Sequence, residues 1–372
     1  MPITSGIDPK SGDTVVLVGT VKGAFALHAG AGRGEWRLGG PWFAGQAVYA
    51  MCYDGRAGRR RLWAASSSPH WGTVLRTSDD FGRTFTEPEA APVRFPDDTG
   101  AALKQVWQLR TGGEAEPDVL YCGVEPAALF VSRDAGTSWS LMRGLWDHPH
   151  RPQWQPGGGG LCLHTIVPDA LNPARLFVAI STGGVYRSDD TGASWRACNR
   201  GIRAPFLPDP DAEFGQCVHK MVQHPTAPER LYLQHHWGVY RSDDAGERWR
   251  PIGAPLPSDF GFAIAVHPHE PDTVYVLPLE SDEFRCTPEG RLRVYRSRDG
   301  GETWHALTSG LPQEHAYETV LRDGLAIDQA RPAGIYFGTR SGKVFGSVDD
   351  GESWRLLADG LPPVTCVKVA AP

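Results

Sequence analysis

Two histidines occupy matching positions in two similar segments and could act as a pair. The segment CLHTIVPDALNPARLF begins at Cys162 and the segment CVHKMVQHPTAPERLY begins at Cys217, which aligns His164 with His219. Side chains alternate between the two faces of a β-strand, so each Cys should share a face with its own His. If the two strands are neighbours, the imidazoles can face one another, and Zn²⁺ and other divalent cations accept neutral imidazole as a ligand.

The chemistry of this pair has two interpretations. A carboxylate such as Glu213 or Asp323 could complete a metal site, or the imidazoles could themselves transfer protons as acid and base. Alternatively, both rings satisfy their nitrogens by hydrogen bonds to neighbouring loops. We predict His164 and His219 as ligands of a divalent metal such as Zn²⁺, and His164, His219 and Glu318 as catalytic candidates.

Other residues in and around the long connecting segments are suited to holding a ligand. Aromatic rings can stack on a sugar or another flat ligand, and arginine can hold an anion. The alternative is a set of solvated loops whose scattered aromatic residues have no common role. The candidate substrate-binding residues are Trp107, Arg110, Trp154, His236, Trp237, Tyr317 and Arg322.

A short motif recurs six times and organises the chain. Each copy reads Ser-x-Asp-x-Gly-x-Ser/Thr followed by an aromatic residue, except that Arg248 replaces the second hydroxyl residue in the fourth copy. The Asp can accept hydrogen bonds from turn N–H groups and the Gly can adopt positive φ, so turn formation explains the motif. We therefore assign a structural role to Asp80, Asp134, Asp190, Asp244, Asp299 and Asp349.

The spacing of the motif predicts the fold. A seventh, degenerate copy keeps its closing Trp36, and the closing aromatic residues recur at roughly 50 to 56 residues, which is the length of a propeller blade. The segments between them are short, β-branched and aromatic. We predict an all-β fold with a single domain over residues 1–372, a seven-bladed β-propeller with four-stranded blades. Residues 364–369 should pair beside residues 13–20 and close the ring.

The six copies resemble the Asp-box (BNR) repeats of sialidases, sortilin-type receptors and photosystem assembly factors. The resemblance covers nearly all of the chain, which is similar to bacterial BNR/YVTN-type propellers described as sialidase-like glycosyl hydrolases. It implies that the boxes lie on one face and the long connections on the other. Sialidase activity is not expected, because the Arg-Ile-Pro signature before the first box is missing and VRFPDD, around Arg94, follows that box.

Composition limits the setting. The formal net charge of −6 gives no reason to expect a nucleic-acid partner. No apolar run is long enough to cross a membrane, and the N-terminal residues have neither a basic start nor an apolar core of a leader. The cysteines number seven and form no CxxC pair, which fits buried thiols in a reducing compartment better than a disulfide framework. We therefore expect a soluble, cytoplasmic protein.

Two functions fit these observations. The first is a small-molecule or glycan site at the mouth of the central channel, in a metal-assisted hydrolase or lyase that is not a sialidase. The second is a non-catalytic propeller that binds or assembles a protein partner. We favour the first, because titratable side chains converge on the channel, whereas a protein-binding propeller would place its aromatic residues on an exposed rim.

Overall fold

Short antiparallel strands make up most of the regular secondary structure in the described residues. The computed structural model describes residues 7–70, 72–88 and 91–372. Its strands are, in chain order, β1 (Thr14–Thr20), β2 (Gly23–Ala29), β3 (Arg37–Trp42), β4 (Ala47–Asp54), β5 (Arg61–Ser68), β6 (Gly72–Ser78), β7 (Gln105–Thr111), β8 (Leu120–Glu125), β9 (Ala128–Ser132), β10 (Ser140–Leu141), β11 (Leu163–Pro168), β12 (Leu176–Ile180), β13 (Gly184–Ser188), β14 (Arg196–Ala197), β15 (Val218–His224), β16 (Ala227–His235), β17 (Val239–Ser242), β18 (Arg250–Pro251), β19 (Gly261–Val266), β20 (Val274–Pro278), β21 (Val294–Ser297), β22 (His305–Leu307), β23 (Leu325–Ile327), β24 (Ile335–Gly338), β25 (Val344–Ser347), β26 (Arg355–Ala358) and β27 (Val364–Ala370).

In the part of the chain that the structure describes, helical structure is confined to single turns in the connections. One short α-helix, α1, spans Arg143–Trp146, and 3₁₀ turns occur at Arg56–Gly58, Asp97–Thr99, Arg151–Gln153 and Pro288–Gly290. Within the described residues, no helix has the length and apolar character needed to cross a membrane. All seven cysteines are free thiols. The cytoplasmic location expected from the sequence stays a prediction.

The strands form seven antiparallel sheets in the described part of the chain. Their strand orders, from the inner to the outer edge, are β27-β1-β2-β3, β4-β5-β6, β7-β8-β9-β10, β11-β12-β13-β14, β15-β16-β17-β18, β19-β20-β21-β22 and β23-β24-β25-β26, and we number the corresponding blades 1 to 7 in this order. The inner strands contact one another in a closed ring of β27, β4, β7, β11, β15, β19 and β23. The predicted seven-bladed propeller is confirmed.

The two ends of the chain close the ring in blade 1. Strand β27 lies antiparallel to β1, with Val18 opposite Val367 and Gly19 opposite Cys366. Both strands are predominantly apolar and largely buried, so pairing them removes two exposed sheet edges and extends the core. A Cβ at Gly19 would lie 2.4 Å from the Val48 carbonyl oxygen of blade 2, so only glycine permits this approach. The predicted closure is confirmed.

Blade 2 differs from the others at its outer edge. Its sheet has three strands within the described residues rather than the four seen in the other six sheets. The Thr86 N–H still donates to the Thr77 carbonyl at 2.8 Å, where a fourth strand would begin. Pro88 follows two residues later, and proline has no N–H to donate to a ladder. The expected four-stranded pattern is thus interrupted by a local proline.

The repeated motif forms the same hydrogen-bonded turn in five of its six clear copies, and the fourth copy lacks one of the bonds. In the third copy, Asp190 Oδ1 accepts from the Ser188 hydroxyl at 2.7 Å and from the Ser194 N–H at 2.9 Å, and Oδ2 accepts from the Ser194 hydroxyl at 2.5 Å. The Gly192 N–H donates to the Ser188 hydroxyl at 2.8 Å. The fourth copy keeps the backbone bond from Arg248 to Asp244 at 2.9 Å, but arginine supplies no hydroxyl there. Turn formation therefore accounts for the motif.

The aromatic residue that closes each motif packs against the preceding blade. The Trp139 ring of blade 3 meets the Trp63 ring of blade 2 edge-on at 6.2 Å. Around the ring closure, Trp36 of blade 1 meets Tyr336 of blade 7 at 5.4 Å in the same manner. Edge-to-face pairs are a favoured aromatic geometry, so these contacts join neighbouring blades.

Candidate functional site

The central channel contains a buried cluster of charged side chains. Asp323 Oδ1 accepts from Lys220 Nζ and from Lys368 Nζ, each at 2.7 Å. Burial alone would raise the pKa of Asp323, but the two ammonium groups reverse this and hold it well below its usual range. Burial lowers the pKa of Lys220 to about 8 despite this partner. The inner strands of all seven blades line the surrounding cavity of about 370 Å³.

A second cavity, of about 260 Å³, lies where long connections meet the first residues of the inner strands, and we call it the mouth pocket. It is built from the links that enter blades 4, 5 and 7, from the connections between the second and third strands of blades 4, 5 and 6, and from inner strands of blades 5 and 6. Its lining residues are Gly157, Gly158, Gly159, Ser181, Thr182, Phe206, Cys217, His219, His236, Trp237, Phe262, Asp282, Arg285 and Arg322.

Aromatic rings form one wall of the mouth pocket. The Phe206 and Trp237 rings stack with centroids 5.0 Å apart and an interplanar angle of 22°. Phe206 is 43% exposed, so the stack is accessible from solvent. His236 packs against Trp237 at 4.0 Å between centroids. The wall therefore offers a flat, partly exposed apolar surface beside polar groups.

Three potential metal ligands meet in the mouth pocket. One ligand atom from each of Cys217, His219 and His236 lies within 4.8 Å of those of the other two. Cys217 and His219 share a face because they are two residues apart at the start of β15, as expected from strand alternation. His236 comes from the connection after β16, and its Nε2 lies 3.1 Å from Asp282 Oδ2.

Burial keeps these groups uncharged in the absence of a ligand. Burial raises the pKa of the Cys217 thiol to about 11. Burial, followed by the positive charge of Arg322, lowers the pKa of His219 well below its usual value. Burial also lowers the pKa of His236, although Asp282 opposes this. His219 is therefore a neutral imidazole near pH 7.

His164 is not part of this cluster. Its Nδ1 lies 3.0 Å from the Thr165 hydroxyl and its Nε2 lies 3.0 Å from the Val218 carbonyl, so both ring nitrogens have protein partners. The ring is fully buried. The structure therefore supports the hydrogen-bonded alternative for His164, and the pairing of His164 with His219 around a metal needs correction, because no nitrogen of His164 is left to bind one.

The carboxylates considered as further ligands also lie elsewhere. Glu213 is 72% exposed and its Oε2 is 3.9 Å from His150 Nε2. Asp323 is held by the two lysines in the central channel. Glu318 is buried, and its two carboxylate oxygens accept from Ser341 and Lys343. A catalytic role for Glu318 beside the histidines is thus unsupported, because this carboxylate is an ion-paired element of blade 7 and lines neither cavity.

The predicted substrate-binding residues fall into two groups. His236, Trp237 and Arg322 line the mouth pocket. Trp107 adjoins it, since the Arg322 guanidinium lies 5.4 Å from the Trp107 ring centroid.

The other predicted contacts lie away from the mouth pocket. Arg110 lines the central channel. Trp154 is a core residue, only 4% exposed, and its Nε1 donates to the Tyr186 hydroxyl at 2.9 Å. Tyr317 is 67% exposed and packs near Gly290. The residue types of Arg110, Trp154 and Tyr317 do not distinguish them from the residues that line the mouth pocket, because sequence alone does not show which side chains point into it.

Several lining residues were not predicted as site residues. Phe206 and Arg285 were missed because they lie in long connections without a repeat partner to align them. Cys217 aligns with Cys162 in the sequence, but this alignment does not by itself indicate that its thiol is a ligand. Asp282 lies in the acidic segment LESDEF, residues 279–284, and this run of charge is the sequence signal that could have indicated its position.

Comparison with known proteins agrees with the fold. A family model for Sortilin-Vps10 (sortilin, neurotensin receptor 3) matches residues 183–309. A xyloglucanase from Paenibacillus sp is 23% identical over 258 residues, which cover 61% of this chain and 24% of that protein. A xyloglucanase from Hypocrea jecorina is 22% identical over 304 residues, which cover 74% and 32%. The chain thus spans about a quarter to a third of the length of these curated relatives.

Solved structures show the same architecture. The GH74 xyloglucanase from Xanthomonas campestris superimposes with a TM-score of 0.63 at 20% identity, over 96% of this chain and 54% of that one. A structure of YCF48 bound to D1 peptide superimposes with a TM-score of 0.53 at 13% identity, over 95% and 87%. At these identities the similarity establishes the β-propeller fold alone. Proteins with different functions share this fold, since one of the two structures is a xyloglucanase and the other is seen with a bound peptide.

Proposed function

We propose that this chain is a glycan-binding propeller and that the mouth pocket is its ligand site. The observation that carries the proposal is the partly exposed Phe206–Trp237 stack beside Asp282 and Arg285 in one cavity. An aromatic face packs on the apolar face of a sugar ring, while carboxylate and guanidinium groups exchange hydrogen bonds with its hydroxyls. The curated relatives, both xyloglucanases, suggest xyloglucan oligosaccharides as the first ligands to test. Within this proposal, residues 1–372 act as one domain of the Asp-box type.

Binding is better supported than hydrolysis. A glycosidase of the usual kind needs two carboxyl groups about 5 to 9.5 Å apart across the scissile bond. Among the described residues that line the mouth pocket, Asp282 alone carries a carboxylate. The two catalytic histidines expected from the sequence cannot supply a second carboxyl group, and only His219 of the two lines the pocket, since His164 is fully buried and hydrogen-bonded.

A peptide is the second candidate ligand. A propeller of the same architecture is seen with bound peptide. In this chain, Phe284 is 60% exposed and Phe206 is 43% exposed, and both lie in connections at the mouth-pocket face. Exposed aromatic side chains in such a position could also hold a protein segment.

Calorimetric titration with xyloglucan oligosaccharides tests the proposal. We expect saturable binding that Trp237→Ala weakens by about tenfold or more, equivalent to about 1.4 kcal/mol, because the stacking surface is lost. Leu171→Ala is the matched control, since Leu171 is a 66% exposed apolar residue outside the mouth pocket. Unchanged affinity in Trp237→Ala, or no binding of any oligosaccharide by the folded protein, would contradict the proposal. Binding of unstructured peptides instead would favour the second candidate.

A further inference from the structure

We propose that Cys217, His219 and His236 form a site for a thiophilic divalent cation, with Zn²⁺ as the expected ion, in the wall of the mouth pocket. The site is independent of the glycan proposal. It differs from the histidine pair predicted from the sequence, because Cys217 and His236 take the place that His164 cannot fill. Thiolate and imidazole together favour zinc over magnesium or calcium, which prefer oxygen ligands.

The distances already approach those of a tetrahedral site. His219 Nε2 lies 3.7 Å from Cys217 Sγ. Zinc bonds of about 2.1 Å to nitrogen and about 2.3 Å to sulfur place tetrahedral ligand atoms roughly 3.4 to 3.8 Å apart. The third ligand lies within 4.8 Å of the other two, so a side-chain movement of about 1 Å completes the geometry.

Neighbouring groups hold the imidazoles in a suitable state. His219 Nδ1 lies 2.5 Å from the Gly261 carbonyl oxygen. A carbonyl can only accept, so Nδ1 carries the proton and Nε2, the atom nearer Cys217, presents its lone pair. Asp282 Oδ2 contacts His236 Nε2, and metal-binding histidines are commonly oriented by a carboxylate in this way. The Gly261 carbonyl and the Asp282 carboxylate therefore orient the two imidazole rings without themselves being metal ligands.

The charges around the cluster can accommodate the ion. A Cys217 thiolate and the Asp282 carboxylate together offset the two positive charges of a divalent cation. Arg285 and Arg322 line the same pocket, so the local potential favours a negatively charged exchangeable ligand at the remaining coordination position. Three protein ligands and one position open to a cavity are the arrangement of a reactive zinc site rather than a closed structural one.

Cobalt substitution tests the site. Untagged protein is stripped with a chelator and titrated with Co²⁺, whose thiolate complexes absorb strongly in the near ultraviolet. We expect one equivalent of Co²⁺ to bind with a thiolate-to-cobalt band, and Zn²⁺ to displace it. Cys217→Ser should abolish the band, while Cys286→Ser, which alters another half-buried free thiol, should leave it intact. His236→Ala should weaken Co²⁺ binding at least 100-fold and Asp282→Asn by about 10- to 100-fold.

The outcomes separate this inference from the glycan proposal. The proposed metal site would be refuted if the native protein showed no thiolate-to-cobalt band. It would also be refuted if the band persisted in Cys217→Ser. The Co²⁺ titrations are made without oligosaccharide, and the oligosaccharide titrations are made on stripped protein without metal, so each experiment tests one proposal alone. Metal binding without glycan binding therefore refutes only the proposed function, and glycan binding without metal binding refutes only the metal site.

Discussion

Replacing Asp190 by alanine removes one complete set of turn hydrogen bonds while leaving the mouth pocket untouched. The carboxylate accepts three bonds, from the Ser188 hydroxyl, the Ser194 N–H and the Ser194 hydroxyl. A typical net contribution of about 0.5 to 1.5 kcal/mol per bond gives, for the three bonds, a loss of about 1.5 to 4.5 kcal/mol in the free energy of unfolding. Because Asp190 is exposed, water replaces part of the lost bonding, and the lower half of that range is expected.

The fourth copy of the motif provides an internal comparison. Asp244 accepts from the Ser242 hydroxyl and the Arg248 N–H, but position 248 supplies no hydroxyl. Asp244→Ala should therefore cost about two thirds as much as Asp190→Ala. Ser194→Ala removes the side-chain bond alone and should cost about 0.5 to 1 kcal/mol.

Urea denaturation is the appropriate assay. In a chain of 372 residues, a change of 1 kcal/mol moves the melting temperature by only about 1 °C, so thermal shifts would be small. An equal or larger loss in Asp244→Ala than in Asp190→Ala would refute the bond-counting argument. A variant of Asp190 that kept its stability but lost oligosaccharide binding would refute the structural assignment of the motif.

Three further predictions concern the charged and aromatic residues. Asp134, Asp190 and Asp299 have pKa values lowered to about 2 from 3.8, chiefly through hydrogen bonds within their turns, which for Asp299 must first overcome burial. Their stabilisation should therefore be complete above pH 3.8 and decline as the pH falls through 2, which unfolding monitored by circular dichroism would show. Asp323→Asn should lower the free energy of unfolding by about 3 kcal/mol in urea denaturation, because Lys220 and Lys368 lose their common partner, whereas Asn at the 73% exposed Asp211 should have no effect. Trp154→Phe should destabilise the protein by about 1 to 3 kcal/mol through loss of the bond to Tyr186 but leave the oligosaccharide affinity unchanged in calorimetry; a normal stability with reduced affinity would return Trp154 to the ligand site.

The sequence predicted the fold because the motif fixes both blade length and the position of each outer turn. Six copies of one turn, together with complementary apolar strands at the two chain ends, determine the number of blades without knowledge of any side-chain contact. Within the described residues blade 2 has no fourth strand, and Pro88, which cannot donate to a ladder, lies where that strand would continue; such a local feature is not part of the repeated motif.

The site was predicted less well because its residues come from connections that differ in every blade. Strand alternation correctly placed Cys217 and His219 on one face, but it could not show that the ring of His164 is enclosed by Thr165 and Val218. Trp154 is an aromatic residue of a type that often contacts ligands, but it is buried in the core. Its burial depends on packing between blades, which the sequence of the loop does not show. Phe206 joins Trp237 only through the path of a long link, which has no periodic signal.

A crystal structure of the protein with a bound xyloglucan oligosaccharide would locate the ligand directly. The proposed glycan site predicts electron density for a sugar ring against the Phe206–Trp237 stack, with hydroxyl groups within hydrogen-bonding distance of Asp282 or Arg285. Density for the oligosaccharide in the central channel beside Lys220 and Lys368, or at a surface away from the mouth pocket, would contradict it.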